Sequence, residues 1–314
     1  MILTEVGRLG PGFAVIGAYA LLCFLWSTTW IGIKVGLHGA PPLIGAGIRF
    51  LVAGCCIAGF WLARRRRLQV PRGQHRFVAL TALCVFGIPY ALVYLGETEV
   101  ESGLAAVLFA TLPLFSALLA YRLLPDEPLT AAKVGGITLG IAGLIVVFHG
   151  GITLRSTATA LLAMVGVLVA PAFSALGQIL AKREGASLPT TLLLAWGMTL
   201  GGTLLLTVGL ATGPRRLALD GRTLGSIAYL ALAGSVAGFS LLYWLLQRIS
   251  VVSVSLLNLV LPILALIEGW AVYGERLNLS LALGALIVAA GIGLTSLGSL
   301  RSTQPAATGV DTAG

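Results

Sequence analysis

The sequence predicts an all-α membrane protein whose ten transmembrane helices form two inverted five-helix repeats. Three observations predict this fold class: an apolar composition, ten separate apolar runs and an internal repeat. Of the 314 residues, 58% are hydrophobic and only 10% are charged, whereas a soluble domain carries roughly 25% charged residues. A chain of this composition belongs in a lipid bilayer.

The internal repeat is clearest between residues 102–148 and residues 251–297. Pro113 corresponds to Pro262 at an offset of 149 residues. Beyond a short polar break the offset becomes 148, and it pairs Glu127 with Glu275, Gly136 with Gly284, and Gly143 with Gly291. Internal symmetry at half the chain length is typical of secondary transporters that are built from repeats.

Ten apolar runs follow one another along the chain, and each is about as long as the roughly 20 residues that a helix needs to cross a bilayer. The predicted helices cover residues 13–37, 43–63, 77–95, 103–122, 130–148, 158–182, 189–210, 225–247, 251–272 and 279–299. The glycines and prolines inside these runs do not argue against helix, because membrane helices tolerate both.

Five helices in each repeat have a topological consequence. Because five is odd, the second repeat enters the membrane from the opposite side, and a shared substrate site is expected between the repeats near the midplane. The first repeat covers residues 1–150 and the second residues 151–300. Residues 301–314 are predicted to be a disordered tail, since they are polar and rich in small residues.

The basic residues predict the orientation. With the N-terminus inside, thirteen Lys and Arg residues lie on the inner side and six on the outer side, which favours cytoplasmic termini by the positive-inside rule. The net charge of +9 therefore reflects topology, and we expect no nucleic-acid partner. All four cysteines lie in apolar runs, and no Cys/His spacing indicates a metal or cofactor.

At this point the order of motifs resembles a known family. Pro113 with Asp126–Glu127 matches Pro262 with Gly274–Glu275, and Trp26 and Trp30 precede Lys34 in the first helix. This order is similar to that of the EamA-type ten-helix proteins of the drug/metabolite transporter superfamily. The resemblance implies export of amino acids or related metabolites, sometimes cationic drugs, across a bacterial inner membrane. The aromatic content is similar to that of the YddG aromatic amino-acid exporters.

Trp26, Trp30 and Lys34 follow at intervals of four residues and therefore share one face of the first helix. Three hydroxyl residues lie between the tryptophans, and a polar stripe in a membrane helix is expected to face protein or water. We interpret this face as the lining of a substrate cavity. The alternative is that Trp30 and Lys34 anchor the helix at the membrane interface.

Arg49 stands inside the second predicted helix, about 10 Å below its end at ~1.5 Å per residue. A guanidinium at that depth costs at least ~2.5 kcal/mol unless it is paired or solvated. We expect it to meet Glu268, the carboxylate inside the ninth helix, or the carboxylate of a substrate. The alternatives are a purely structural charge pair and an arginine that snorkels to the membrane surface.

The third helix carries Phe86, Tyr90 and Tyr94 on one face, and the eighth carries Phe239 and Tyr243 at the repeat-related positions. The two aromatic ladders are expected to face each other across the repeat axis. There they would stack on flat substrates or attract cations to their ring faces. Ordinary helix packing is the alternative.

Uncharged polar residues next to prolines complete the predicted substrate site. Ser174 and Gln178 follow Pro171 in the sixth helix, and Asn258 precedes Pro262 in the ninth. They are expected to bind substrate, although interhelical hydrogen bonds of about 0.6 kcal/mol each would also explain them. Glu275 is interpreted as structural, because a carboxylate near a helix N-terminus complements the helix dipole.

The sequence thus predicts a monomeric secondary transporter, in contact with lipid and a small-molecule substrate, that works by alternating access. An antiporter for sugar phosphates or nucleotide sugars is an alternative within the same superfamily. An intramembrane enzyme is an alternative from another class, but no nucleophile–base set supports it. Proton coupling and facilitated diffusion both remain open.

Overall fold

A computed structural model describes residues 11–123, 129–154, 158–184, 188–213, 217–218, 220–246, 248, 254, 257–275 and 279–302. Within these residues the chain forms ten helices. They are α1 Pro11–Leu37, α2 Pro42–Ala63, α3 His75–Gly96, α4 Ser102–Leu123, α5 Ala131–Leu154, α6 Ala158–Glu184, α7 Thr190–Thr212, α8 221–246, α9 Leu257–Tyr273 and α10 Leu279–Ser302.

Eight of these helices are long and apolar enough to cross a membrane, and α9 and α10 contain shorter apolar helices, Val260–Tyr273 and Leu279–Thr295. The predicted fold class is therefore confirmed. Parts of the ninth predicted helix, residues 251–253 and 255–256, and most of the predicted tail lie outside the described residues. Many large apolar side chains are exposed on the bundle, among them Phe13, Leu162 and Trp270, as expected of a surface that faces lipid.

Two helices begin at residues suited to that position. Pro42 is the first residue of α2, where its missing N–H would have no intrahelical partner in any case. Asp220 precedes α8 and accepts a hydrogen bond from the Thr223 backbone N–H at 2.7 Å. This is an N-cap, and hydrogen bonds from the helix terminus lower the pKa of the Asp220 carboxyl.

Three of the helices are irregular within the membrane. Residues Ala82–Gly87 of α3 and Leu230–Ala237 of α8 are π-helical, and these two segments occupy corresponding positions of the repeats. Helix α4 is interrupted after Phe109 and resumes at Leu112. Pro113 causes this break, because proline has no N–H to bond the carbonyl of residue 109. Such irregular segments expose backbone groups inside a helix and are frequent at functional sites.

The packing of α5 against α10 demonstrates the inversion. A methyl group added to Gly136 would lie 2.6 Å from the Gly291 carbonyl oxygen, and one added to Gly143 would lie 3.0 Å from the Gly284 oxygen. Gly136 corresponds to Gly284 and Gly143 to Gly291, so each glycine contacts the counterpart of the other. A two-fold relation between antiparallel helices produces this exchange.

Two other pairs of corresponding helices also pack together. Gly47 of α2 lies against the backbone of Leu206 in α7, and the start of α4 at Gly103 lies against Leu266 near the end of α9. Because α4 begins where α9 ends, these corresponding helices run in opposite directions. The structure therefore confirms two inverted five-helix repeats, which pack together through these three pairs of helices.

Candidate substrate site

The candidate site lies along the repeat axis, below the end of the bundle where α1 ends, α4 begins and α9 ends. We refer to this end as the Lys34 end. Going inward from it, the site comprises an ion pair, then a buried arginine, then a chain of aromatic rings.

The ion pair joins Lys34 of α1 to Glu275, which follows α9, with 2.9 Å between Nζ and Oε1. Glu275 also accepts hydrogen bonds from the Ser102 hydroxyl at 2.6 Å, the Ser102 N–H at 3.0 Å and the Gly103 N–H at 3.2 Å. Burial raises the pKa of Glu275, but the bonds from Ser102 and Lys34 outweigh it and leave the pKa below its ordinary value. The carboxylate is thus held ionised at the N-terminus of α4.

The contacts of this ion pair test the predictions made for Glu275 and Lys34. Glu275 complements a helix dipole, as predicted, but the helix is α4 of the other repeat and not the one that follows it in the chain. Lys34 contacts Glu275 and lies 5.9 Å from the centre of the Tyr273 ring, so it faces the interior of the bundle. It joins the repeats across their interface at this end.

Arg49 is buried, with 2% of its surface exposed. Its Nε donates to the Ser235 hydroxyl of α8 at 3.0 Å, and its Nη1 donates to the Tyr94 hydroxyl of α3 at 3.3 Å. The guanidinium also lies about 5 Å from the centres of the Phe50 and Tyr90 rings, at 5.0 and 5.1 Å. Among the described residues, its hydrogen-bond partners are neutral.

The predicted pairing of Arg49 with Glu268 is wrong. Glu268 of α9 accepts a hydrogen bond from the Ser27 hydroxyl of α1 at 2.8 Å. Helices α1 and α9 run side by side, which places Glu268 beside Ser27, whereas the Arg49 guanidinium extends between α3 and α8. The remaining expectation for Arg49, a substrate carboxylate, is not tested by this geometry.

The aromatic ladders of α3 and α8 meet across the repeat axis. Phe86 and Phe239 have ring centres 5.5 Å apart, and Phe239 also contacts Trp26 of α1 at 5.6 Å. Phe50 of α2 connects this group to Tyr90, at 4.5 Å between ring centres. A continuous chain of rings therefore leads from Trp26 to the guanidinium of Arg49.

Trp26 also contacts the π-helical segment of α8. Its indole N–H donates to the Gly234 carbonyl oxygen at 3.1 Å, and that carbonyl is in the irregular segment. Trp30 contacts Phe109 of α4 with ring centres 5.7 Å apart. Both tryptophans therefore pack against other helices of the bundle.

The other predicted residues lie on α6, α8 and α9. Ser174 is buried and Gln178 is exposed on α6, a helix whose Gly177 packs against Cys84 and Val85 of α3. Asn258 is half-buried near the start of α9, ten residues before Glu268 and thus about 15 Å along the helix. Tyr243 lies in α8, but its side chain is outside the described residues.

One residue of this region was missed by the sequence analysis. Glu97 follows the last residue of α3 and is 97% buried, with 3% of its surface exposed, and neither carboxylate oxygen has a hydrogen-bond partner among the described residues. Glutamates alternate at Glu97, Glu99 and Glu101, a pattern typical of an exposed loop. The neighbouring Gly96 packs closely against Val167 of α6, a contact between distant segments that the sequence alone does not indicate.

Comparison with known proteins identifies the family. The model of the EamA-like transporter family matches the chain twice, over residues 13–149 and 161–297. The chain therefore belongs to this family, as the resemblance in the sequence predicted. The two matches are 148 residues apart, which makes Ser174 and Gln178 the counterparts of Trp26 and Trp30.

Several relatives are transporters by name. The chain is 30% identical over 279 residues to the inner membrane transporter YedA of Escherichia coli K12, covering 88% of this chain and 89% of the relative. It is 26% identical over 270 residues to the transporter YoaV of Bacillus subtilis, covering 85% and 91%. It is 27% identical over 279 residues to an S-adenosylmethionine/S-adenosylhomocysteine transporter of Chlamydia muridarum, covering 85% and 87%.

A solved crystal structure shares the fold. It matches with a TM-score of 0.66 at 18% identity, over 93% of this chain and 99% of its own. At this identity the likeness shows the architecture alone. Together with the family, it defines the protein as a multi-pass membrane transporter.

Proposed function

We propose that this protein exports amino acids or related small metabolites across the inner membrane by alternating access. The substrate class that we favour joins a carboxylate to a flat or apolar group. The single observation that carries this proposal is Arg49, a buried guanidinium whose described hydrogen-bond partners, Tyr94 and Ser235, are both neutral. A charge in this position inside a membrane protein indicates a functional site.

A carboxylate is the chemical group that Arg49 would bind best. The planar guanidinium presents parallel N–H donors, and hydrogen bonds between two charged groups are about twice as strong as those between neutral groups. A substrate carboxylate that displaced the hydroxyls of Tyr94 and Ser235 would neutralise the buried charge. These two residues come from α3 and α8, so this exchange would alter a contact between the repeats.

The chain of aromatic rings supports the other part of the proposed substrate, a flat or apolar group. Tyr90 and Phe239 are half-buried, and they are part of the chain of rings that leads from Arg49 to Trp26. Aromatic side chains bind flat groups by stacking or edge-to-face contact. S-adenosylmethionine, named for the Chlamydia relative, is itself an α-amino acid that carries a purine ring, and so has both features.

Membership of a transporter family favours transport over the intramembrane enzyme. The sugar-phosphate alternative is weakened by Lys34, because its ammonium is neutralised by Glu275. With Lys34 engaged in this ion pair, Arg49 is the basic residue of the site that remains to bind a phosphate. The relative YedA, an inner membrane transporter, supports the inner membrane as location. The cytoplasmic position of both termini remains our proposal.

The test is efflux from liposomes loaded with matched compounds. Purified protein would be assayed with L-phenylalanine, L-phenylalaninamide and phenethylamine, which differ at the carboxylate, together with L-leucine, S-adenosylmethionine and a cationic dye. We expect the carboxylates to leave faster than the amide and the amine, with flat side chains preferred. Equal rates for acid and amide would contradict the assignment of Arg49, and no protein-dependent efflux of any compound would contradict the proposed class.

A further inference from the structure

The second carboxylate at the Lys34 end, Glu97, has no role in the site described above. Glu275 has four donors nearby, whereas Glu97 has no hydrogen-bond partner for either oxygen in the described part of the chain. It is nonetheless the more buried of the two, at 3% exposed against 9%. Two carboxylates at one end of the bundle thus have opposite environments.

The groups that act on Glu97 come from several elements. Lys34 of α1 and Arg49 of α2 are the cations, Glu275 is the other anion, and Tyr94 of α3 and Tyr273 of α9 are the remaining titratable groups. From α6, the contacts at the adjacent Gly96 are with apolar residues. Lys34 is engaged with Glu275, and the Arg49 donors are directed to Tyr94 and Ser235.

A carboxylate without donors is stable in a buried position only in its neutral form, because burial of an unpaired charge is far more costly than protonation. Burial accordingly raises the pKa of Glu97 well above its ordinary value, an effect that Lys34 and Arg49 only partly offset and that Glu275 increases. When the Lys34 end opens, water would reach Glu97 and its pKa would return toward the ordinary range.

We propose that Glu97 is a proton-binding site and that the Lys34 end closes over its protonated carboxyl. Closure then takes up one proton from the compartment that this end faces. This inference rests on the proposed function in one respect, because it takes the protein to be a carrier that opens and closes this end. It assigns a proton site to a residue outside the membrane-spanning segments.

The sign of the pH dependence follows from linkage. The closed state binds its proton more tightly than the open state. The stabilisation of the closed state by the protonated Glu97 is therefore fully present at low pH, below the ordinary glutamate pKa. This stabilisation is lost as the pH rises from the ordinary glutamate pKa to the raised pKa of the closed state. Within this window closure becomes up to about tenfold less favourable for each pH unit, and above the raised pKa it changes no further.

Two measurements on the full-length protein in lipid nanodiscs test the proposal without any ligand. Infrared spectroscopy would record the carbonyl stretch of protonated carboxyl groups across a pH titration, in the wild type, Glu97→Gln, Glu97→Asp and Glu99→Gln. Glu99 lies in the same turn and is partly exposed, so Glu99→Gln is the matched control. The difference between wild type and Glu97→Gln isolates Glu97 from the buried Glu275 and the half-buried Glu268.

The second measurement is hydrogen–deuterium exchange of residues 97–108, compared between variants at the same pH. The amides of Ser102 and Gly103 donate to Glu275 in the closed state and are released on opening. We expect exchange in the wild type to rise above that of Glu97→Gln as the pH increases, while Glu99→Gln follows the wild type and Glu97→Asp retains a pH dependence.

Two results together support the proposal. The protonated-carboxyl band is present at neutral pH in the wild type and is lost in Glu97→Gln. Hydrogen exchange in Glu97→Gln no longer follows that of the wild type at high pH. A band unchanged by Glu97→Gln, or identical exchange in wild type and Glu97→Gln at every pH, overturns it. Neither result depends on efflux from liposomes. A protein that passes these tests but transports nothing would contradict the proposed function and not the proton site.

Discussion

Lys34 and Glu275 form an ion pair 2.9 Å long between the last turn of α1 and the residue that follows the Gly274 turn after α9. They belong to different repeats, and Glu275 also binds the first N–H groups of α4. One carboxylate thus connects three helices at the Lys34 end. The stability of this closed end depends on that carboxylate.

Substitution at this pair is predicted to have unequal effects. Glu275→Gln should destabilise the protein more than Lys34→Met, because Glu275 receives hydrogen bonds from Lys34, Ser102 and Gly103, whereas Lys34 is 21% exposed and can be partly hydrated when unpaired. Removing one partner of a fully buried pair costs about 3–5 kcal/mol, and the partial exposure of Lys34 reduces this. Thermal unfolding in detergent would measure both variants, with Glu99→Gln as control. Equal or reversed shifts would contradict the capping role of Glu275.

The guanidinium of Arg49 should not be replaceable by an ammonium. Arg49→Lys and Arg49→Gln are both predicted to reduce efflux of a carboxylate substrate by at least about tenfold, or ~1.4 kcal/mol. A lysine cannot reach Ser235 and Tyr94 together while it keeps the contacts that Arg49 makes with two aromatic rings. Tyr94→Phe removes one hydrogen bond worth about 1 kcal/mol and should have a smaller effect. Normal efflux and protein level in both Arg49 variants would refute a substrate role.

The aromatic chain is predicted to select flat substrates. Phe239→Ala should slow efflux of L-phenylalanine more than efflux of L-leucine, because Phe239 contacts both Phe86 and Trp26. Trp270→Ala is the control, since Trp270 is 58% exposed on the surface of the bundle. If Phe239→Ala lowered efflux of L-phenylalanine and of L-leucine equally, the rings would be packing residues only.

Two glycines of α10 test the inverted packing. Gly291→Ala should destabilise the protein, because the added methyl group would lie 2.6 Å from the Gly136 carbonyl oxygen. Gly293→Ala has no atom within 4 Å of the added methyl group, so it should be neutral or slightly stabilising, since alanine favours helix by about 1 kcal/mol. Thermal unfolding compares the two variants directly. Equal unfolding temperatures would show that α5 and α10 are not closely packed.

The sequence was sufficient for the helices and the inversion, because hydropathy and an odd-numbered repeat determine both. It also predicted that the aromatic ladders of α3 and α8 face each other, since the repeat offset identifies corresponding positions on the two helices. It did not predict the partner of Glu268, because the register of α9 against α1 depends on packing between distant segments. Glu97 was missed for a related reason: whether a polar turn is buried depends on its neighbours in space, here α6.

The central claim is that Arg49 binds a substrate carboxylate between the two repeats, and equilibrium binding tests it most directly. Binding of radiolabelled L-phenylalanine to purified wild type and Arg49→Gln would be measured in competition with unlabelled L-phenylalaninamide. We predict that the wild type binds the acid at least about tenfold more tightly than the amide and that Arg49→Gln loses this preference. An unchanged preference in Arg49→Gln, in protein that unfolds at the wild-type temperature, would contradict the claim.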